Sequence, residues 1–352
     1  MKSNANAKTI ILITSGILFA LVPIITTNLS CLMGNSNKRA DYSDNINLDH
    51  KNPQISAVSG KIHIDNNWTD AKTAGICTGE GTYSNPYIIE DLVIDGGGAG
   101  SCIFIENSNV YFKIENCTIY YSGPYGRSFL EAGIKLKLVS NGSLINNNVS
   151  NNKAYGIRFW FSNNNTISGN TVNNNAYGIY LGYSDRNTVS GNTVNNNGNG
   201  IYLSGSNNTI LWNTANNNNE NGIDLSGSSN NTISWNTANN NNENGIYLGY
   251  SDRNTVSGNS VNNNKFFNIR MVNSNYNIVS GNTLIGNYYC IYETDCHGNV
   301  FENNKCNAGD GISFELIILL ISGGAMIGVA TILLIRRTLK GNLKIFRINI
   351  SF

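Results

Sequence analysis

The repeat that sets the architecture of this chain is GIYLGYSDRNTVSGNTVNNN, at residues 178–197. The phrase Gly-Ile-x-Leu, with close variants, returns every 22 or 23 residues from Gly133 to Cys290. Apolar and polar residues alternate within each phrase, which is the period of a β-strand. Strands of three to five residues between turns rich in Asn, Gly and Ser are incompatible with long helices or long hairpins. We therefore predict that each repeat forms one coil of a parallel β-helix.

Stacked coils share a core that no single coil could bury. At a strand spacing of about 4.8 Å, equivalent apolar residues form rows inside the stack. One predicted inner row contains Ile134, Ile157, Ile179, Ile201, Ile223, Ile246, Ile269 and Ile291. The predicted fold is all-β, a right-handed parallel β-helix of about ten coils over residues 87–310. A polar linker at 31–60 and an N-terminal cap at 61–86, with a short helix at 67–76, are expected before it.

A row of asparagines is the most regular feature of the repeats. Its members all fall three residues after an inner apolar position: Asn147, Asn170, Asn192, Asn213, Asn236, Asn259, Asn282 and Asn304. Stacked Asn amides at a turn can bond to the next coil, and Asn tolerates the left-handed conformation of such turns. We interpret this row as a structural ladder, because buried turn groups need partners in every coil.

The repeated Asn-Thr-Val-Ser-Gly-Asn-Thr-Val and Gly-Ile-Tyr-Leu phrases resemble the NosD-type parallel β-helix family, which belongs to a carbohydrate-binding and sugar-hydrolase class. The resemblance covers about residues 87–307 and implies an exported protein concerned with copper delivery or with polysaccharides. The copper role is disfavoured by the scattered positions of His50, His63, His297 and Met271, since a soft-metal site needs grouped ligands. We expect no metal site, with calcium as the one cofactor left open.

The two ends of the chain point to a membrane. An apolar run at residues 10–25 follows two lysines, so residues 1–30 form either a cleaved signal peptide or a retained signal anchor. Residues 316–335 carry no charge and are long enough to span about 30 Å of hydrocarbon. The five basic residues within 336–352 predict a cytoplasmic tail and an extracellular solenoid.

Charge and cysteine content limit the possible functions and location of the protein. The net charge is +1, and seven of the 23 positive charges lie in the two ends, so the solenoid is mildly acidic. Nucleic-acid binding is not expected without a basic surface. Six cysteines near the ends of the solenoid suit disulfides in an exported protein, but their pairing is left open: Cys77, Cys102, Cys117, Cys290, Cys296 and Cys306.

Three acidic residues are the candidates for catalysis or calcium binding. Glu220 and Glu243 each lie two residues before a Gly-Ile phrase on neighbouring coils, with Asp224 close in sequence. Like charges at that spacing raise a pKa, and carboxylate pairs serve glycosidases and calcium sites alike. The copied stretch NTANNNNENGI explains the pair without a site, and we therefore expect no catalysis.

An outward row of residues provides the candidate binding surface. It lies two residues after each repeat start: Lys135, Arg158, Tyr180, Tyr202, Asp224, Tyr247, Arg270 and Tyr292. Tyr183 and Tyr250 follow three residues after their row members, within stretches 178–197 and 245–264 that differ at one position. Tyrosines on a rigid face suit sugar stacking, and they equally suit ordinary cross-strand packing.

These features predict a membrane-anchored surface protein that binds glycans or neighbouring surface proteins without catalysis. A polysaccharide lyase or hydrolase on the same fold is the first alternative. A NosD-like metal-delivery accessory is the second.

Overall fold

The computed structural model describes residues 57–123, 130–287, 289–307 and 345–348. Within them every pair of neighbouring strands is parallel. The prediction of an all-β parallel β-helix of the right-handed type is confirmed. No helix in this part of the chain is long and apolar enough to cross a membrane. The two predicted apolar segments, at 10–25 and 316–335, lie outside the described residues.

The first sheet consists of eleven strands and includes every Gly-Ile-x-Leu phrase. Its strands are β2 (Ile62–Asp65), β5 (Ile103–Ser108), β8 (Ala132–Val139), β11 (Tyr155–Trp160), β13 (Tyr177–Gly182), β15 (Asn199–Ser204), β17 (Ile223–Ser226), β19 (Ile246–Gly249), β22 (Ile269–Val272), β25 (Ile291–Thr294) and β28 (Ile345–Ile348).

The second sheet consists of ten strands, four of them built from the Thr-Ile/Val-Ser phrase. Its strands are β3 (Tyr87–Glu90), β6 (Phe112–Glu115), β9 (Gly142–Ile145), β12 (Thr166–Ser168), β14 (Thr188–Ser190), β16 (Thr209–Leu211), β18 (Thr232–Ser234), β20 (Thr255–Ser257), β23 (Ile278–Ser280) and β26 (Val300–Glu302). The solenoid has about nine turns, one fewer than the ten predicted.

The third side of the coil is paired less continuously. Four strands stack at its N-terminal part and three at its C-terminal part. They are β1 (Ala57–Ser59), β4 (Leu92–Asp95), β7 (Thr118–Tyr120) and β10 (Asn148–Val149), then β21 (Ser260–Asn262), β24 (Thr283–Ile285) and β27 (Lys305–Asn307). Single bridges, such as Thr193 to Thr214, continue the stack between them.

The helix expected at 67–76 is observed as α1, Trp68–Thr73. Trp68 is buried, stacks on Tyr87 at 5.0 Å and donates a hydrogen bond from Nε1 to Ser108 Oγ. Strands β1 and β2 precede the helix, so the solenoid begins before residue 87. Within β2, the apolar Ile62 and Ile64 alternate with polar residues, but the segment lacks the Asn-rich turn phrases that mark later coils.

The predicted ladder asparagines connect successive coils through their amides. Asn213 Oδ1 accepts hydrogen bonds from the backbone N–H of Asn192 at 3.0 Å and from its side-chain amide at 2.9 Å. Asn213 Nδ2 in turn donates to Val189 O at 2.9 Å. The same pattern runs from Asn147 to Asn304. Each amide thereby satisfies turn groups of the preceding coil.

Two further asparagine ladders occupy the other turns and were missed in the sequence. The first contains Asn152, Asn175, Asn197, Asn218, Asn241 and Asn264. The second contains Asn165, Asn187, Asn208, Asn231, Asn254, Asn277 and Asn299. Each ladder residue is preceded by one with positive φ, such as Trp212 before Asn213. The left-handed residue is therefore the neighbour and not the ladder Asn itself.

The C-terminal coils contain one disulfide, between Cys290 and Cys306. Cys77, Cys102 and Cys117 are buried free thiols, and burial raises the pKa of Cys102 to about 12 and that of Cys117 to about 11. Strand β28 pairs with β25. Its residues belong to the predicted cytoplasmic tail, so this pairing and that topology cannot both hold in one molecule.

Candidate functional site

The predicted outward row is a continuous line of cross-strand neighbours on the first sheet. Lys135 pairs with Arg158, Arg158 with Tyr180, and Tyr180 with Tyr202. The line continues through Asp224, Tyr247, Arg270 and Tyr292. The register places equivalent residues of successive repeats side by side, one coil spacing apart.

Tyr180 and Tyr202 form a parallel stack. Their ring centroids are 4.9 Å apart and the interplanar angle is 0°. Both side chains are half-buried, and burial raises the pKa of Tyr180 to about 12. Because the two rings cover each other's inner faces, the pair exposes mainly ring edges and hydroxyl groups to solvent.

The stack belongs to a larger group, here called the aromatic cluster. Its members form two sets of contacting rings, with centroids 4.9 to 6.0 Å apart: Tyr155, Tyr177, Tyr180 and Tyr202, and Trp160, Phe161 and Tyr183. Arg158 contacts rings of both sets and connects them. Phe161 and Tyr183 stack on each other at 5.1 Å and are 48% and 56% exposed. The sequence interpretation missed Tyr155, Trp160, Phe161 and Tyr177. Extending the outward row by two or three residues in each direction would have found them.

A cation is buried beneath these rings. Arg158 is only 3% exposed, and its guanidinium carbon lies 4.7 Å from the Trp160 ring centroid and 5.3 Å from that of Tyr155. Nη1 donates a long hydrogen bond of 3.4 Å to Leu130 O, whereas Nε has no partner among the described residues. Burial lowers the pKa of Arg158. Contacts with the ring faces of Trp160 and Tyr155 favour the charged guanidinium at this buried position.

The other predicted tyrosines lie apart from the aromatic cluster. Asp224 separates Tyr202 from Tyr247 in the row. Tyr247 contacts Arg270 at 5.6 Å, and Tyr292 stacks on Phe267 at 4.5 Å. Tyr250 is 69% exposed, and its ring contacts no other aromatic ring in the described part of the chain. The predicted row is therefore two aromatic groups divided by an acidic residue.

The acidic candidates do meet on adjacent coils. The backbone N–H of Glu243 donates to Glu220 O at 3.1 Å, and Asn199 Nδ2 donates to Glu220 Oε2. Asp224 is 8% exposed and accepts a 2.8 Å hydrogen bond from Asn221 Nδ2 on Oδ2, while Oδ1 has no partner among the described residues. Burial raises the pKa of Asp224 to about 7, and Glu220 and Glu243 add to the rise.

The described part of the chain contains no cluster of side chains that could serve as metal ligands. No group of three or more His, Cys, Asp or Glu side chains there is arranged to hold a metal ion. His63 contacts Glu106 at 3.0 Å and stacks on Phe104, and His297 packs on Tyr276. These histidines lie near opposite ends of the solenoid.

An open groove of about 550 Å³ lies beside the aromatic cluster, at the turns that join the first sheet to the second. It extends over four N-terminal coils, from Asn66 to Asn164. Leu138 and Phe161 are its exposed apolar residues, and the rest of its lining is mostly Asn and Ser. Nothing in the sequence interpretation pointed to this groove.

The stacked coils and their amide ladders define a parallel β-helix. The family model described as periplasmic copper-binding protein (NosD) matches residues 124–309, slightly more than half of the chain. This chain therefore belongs to the NosD family of β-helix proteins. No curated protein matches it significantly.

Solved structures similar to the chain include enzymes that act on alginate. A double mutant of the periplasmic alginate epimerase AlgG is 19% identical over 59% of this chain and 63% of that one, with a TM-score of 0.44. The A-module of the Azotobacter vinelandii mannuronan C-5 epimerase AlgE6 is 12% identical over 64% and 86%, with a TM-score of 0.38. An alginate lyase from Paenibacillus sp. is 11% identical over 63% and 92%, also at 0.38. The match thus spans less than two thirds of the AlgG mutant's length.

Proposed function

We propose that this chain is a surface β-helix that binds glycans through the aromatic cluster and has no catalytic activity of its own. The observation that carries this proposal is the grouping of seven aromatic side chains on three successive coils, with Phe161 and Tyr183 about half exposed. Exposed apolar groups of this kind on a folded surface are typical of interaction sites.

The chemistry of the cluster favours a sugar over an apolar ligand. Sugars present apolar C–H faces and a rim of hydroxyl groups, so a complementary site needs both rings and hydrogen-bonding groups. Tyr180 and Tyr202 supply hydroxyl groups, and Ser204 and Ser226 lie on the strands of the following coils. Trp160 and Phe161 supply apolar surface on the neighbouring coil.

The rigidity of the cluster supports binding of an extended ligand. Five of its residues lie on strands that are paired on both sides, and Phe161 and Tyr183 directly follow two of these strands. Contacts between neighbouring coils restrict the rings. Little side-chain entropy is lost when such a surface binds, which favours affinity for a weakly apolar ligand. A glycan chain or a neighbouring glycosylated surface protein fits this description.

A glycan array with the purified full-length chain tests the proposal. Binding should fall at least tenfold in Phe161→Ala/Tyr183→Ala, because the exposed rings are removed. Tyr250→Ala is the matched control, since Tyr250 has the same local sequence as Tyr183 but lies outside the cluster. Absence of any glycan binding by the wild type would refute the proposal.

Cleavage of a polysaccharide is a second candidate, favoured by Asp224. A carboxyl group with its pKa raised to about 7 and one oxygen unpartnered within the described chain has the properties of a general acid or base. Release of reducing ends or unsaturated products from a bound glycan, and its loss in Asp224→Asn, would establish this activity. Binding without product release would leave the non-catalytic function standing.

The proposed location is the outer face of the cell membrane. The family description is periplasmic, which is consistent with an exported solenoid. The apolar segment at 316–335 would anchor the chain, with the basic residues that follow it in the cytoplasm. In that arrangement strand β28 is not paired with β25.

A further inference from the structure

The groove beside the aromatic cluster lies over stacked turns of equal length. Leu136 pairs with Phe159 and Leu144 with Ile167, so Leu138 and Phe161 occupy equivalent positions in successive coils. At the strand spacing, the four coils that line the groove extend over roughly 14 Å, and its volume of about 550 Å³ is typical of ligand sites.

Two apolar residues of the groove are strained as well as exposed. Leu138 has a φ of 55° and Phe161 a φ of 49°, both in the left-handed region, and they are 51% and 48% exposed. Asn107, Gly227 and Asn273 occupy the equivalent position in three other coils, and Asn and Gly are the residue types that adopt that conformation most easily.

A bulky side chain at these positions is not required by the fold, because Asn and Gly occupy them in other coils. Bulky left-handed residues also occur at other turns, such as Trp212, Trp235 and Tyr276, so the conformation by itself does not mark a site. Tyr183 and Tyr250 share the strained position, but they lie in copied repeats. Leu138 and Phe161 lie outside that duplication, so it does not account for them.

The remaining lining indicates the chemistry of the occupant. Apart from the apolar residues, it consists of amide and hydroxyl side chains, and no charged residue lines the groove. The amide groups of Asn66 and Asn164 are exposed and have no hydrogen-bond partner in the described residues. Amides that both donate and accept match sugar hydroxyl groups, and apolar walls match C–H faces.

We propose that this groove binds an uncharged sugar residue at the end or branch of the glycan. The inference rests on the proposed glycan-binding function, because Phe161 belongs to both the groove and the aromatic cluster. The cluster holds the chain of the ligand, and the groove selects a neutral residue over an acidic one. A uronic acid in the groove would lose hydration without meeting a cation.

The test compares Leu138→Asn with Tyr250→Asn in the full-length chain. Asn occupies the same turn position at 107 and 273, so both variants should fold and should raise the melting temperature by relieving strain. Affinity is measured by calorimetry with neutral cellohexaose, mannohexaose and chitohexaose and with acidic hexagalacturonate. Leu138→Asn should weaken binding of the preferred neutral hexasaccharide at least tenfold, and Tyr250→Asn should leave it unchanged.

The outcomes separate the groove from the cluster. If Leu138→Asn binds as the wild type does, or if hexagalacturonate is preferred, the groove assignment is overturned while glycan binding by the cluster stands. If the wild type binds none of these sugars nor any glycan on an array, both proposals fall. Binding of an extended peptide that Leu138→Asn abolishes, with no sugar bound, would also overturn the assignment.

Discussion

The ring of Tyr180 lies parallel to that of Tyr202 at a centroid distance of 4.9 Å. This distance is nearly the spacing of the strands that carry the two residues, so the coil repeat itself imposes aromatic stacking. Stacked rings shield each other's faces, and ligand contacts at this pair must use the ring edges and hydroxyl groups. The ends of the stack meet Arg158 on one side and Asp224 on the other.

Removal of this stack is expected to abolish binding without unfolding the protein. The Tyr180→Ala/Tyr202→Ala variant keeps the buried rows and the amide ladders, so its circular dichroism spectrum should match that of the wild type. Its affinity for a glycan identified on the array should fall at least tenfold, because two hydroxyl groups and the support of the neighbouring rings are lost.

Tyr247→Ala is the control for that variant. Tyr247 occupies the same outward row but lies beyond Asp224 and contacts Arg270 instead of the aromatic cluster. Its substitution should leave affinity within twofold of the wild type. Equal binding by the double variant and the wild type would show that the Tyr180–Tyr202 pair is ordinary sheet surface.

The sequence predicted the features that repeat. Residues such as Tyr180 and Tyr202 are placed in register by a 22-residue step, and the alternation of Ile179, Leu181 and polar neighbours assigns each side chain to one face of the strand. The ladder formed by Asn192 and Asn213 follows from the same step. Period and alternation are local properties, and they are therefore visible in one sequence.

Features that do not repeat from coil to coil were missed in the sequence. The groove depends on which turn side chains of four successive coils lie exposed side by side, and this is visible only when the coils are stacked. The burial of Arg158 and Asp224 depends on the side chains that pack against them, such as Trp160 against Arg158 and Asn221 against Asp224. The alternation in β2 was overlooked, because its turns lack the Asn phrases that identify later coils.

Loss of a single ladder amide should lower the stability of the solenoid by a measurable amount. Asn213 accepts from Asn192 and donates to Val189 O and Leu211 O, and it is buried. Asn213→Ala should lower the free energy of unfolding by roughly 1–3 kcal/mol, since buried turn groups lose their partners. Chemical denaturation provides the measurement.

Asn219→Ala is the matched control for Asn213→Ala. Asn219 is exposed, and its side chain makes no hydrogen bond within the described residues. This variant should unfold within about 0.5 kcal/mol of the wild type. Equal stability of Asn213→Ala and the wild type would contradict the importance of the ladder in the central coils.

The proposed topology predicts an asymmetric response to protease. In sealed vesicles with the outer face exposed, added protease should digest the solenoid and leave an epitope beyond Lys344 protected. Detergent should then expose that epitope, which verifies that the membrane provided the protection. Digestion of the epitope together with the solenoid in intact vesicles would instead favour the pairing of β28 with β25.

Asp224 should make stability depend on pH. Burial raises its pKa from 3.8 to about 7, so between these values the folded protein holds a proton that the unfolded chain has released. The contribution of this proton to stability is complete below about pH 3.8 and is lost as pH rises through about 7, and it amounts to roughly 4 kcal/mol at most. Asp224→Asn should remove this part of the pH dependence in denaturation curves measured from pH 4 to 8, and the variant should be more stable than the wild type at pH 8. Asp295→Asn, at an exposed turn residue, should retain it. An identical pH profile for Asp224→Asn and the wild type would show that Asp224 is ionised in the folded protein throughout this range.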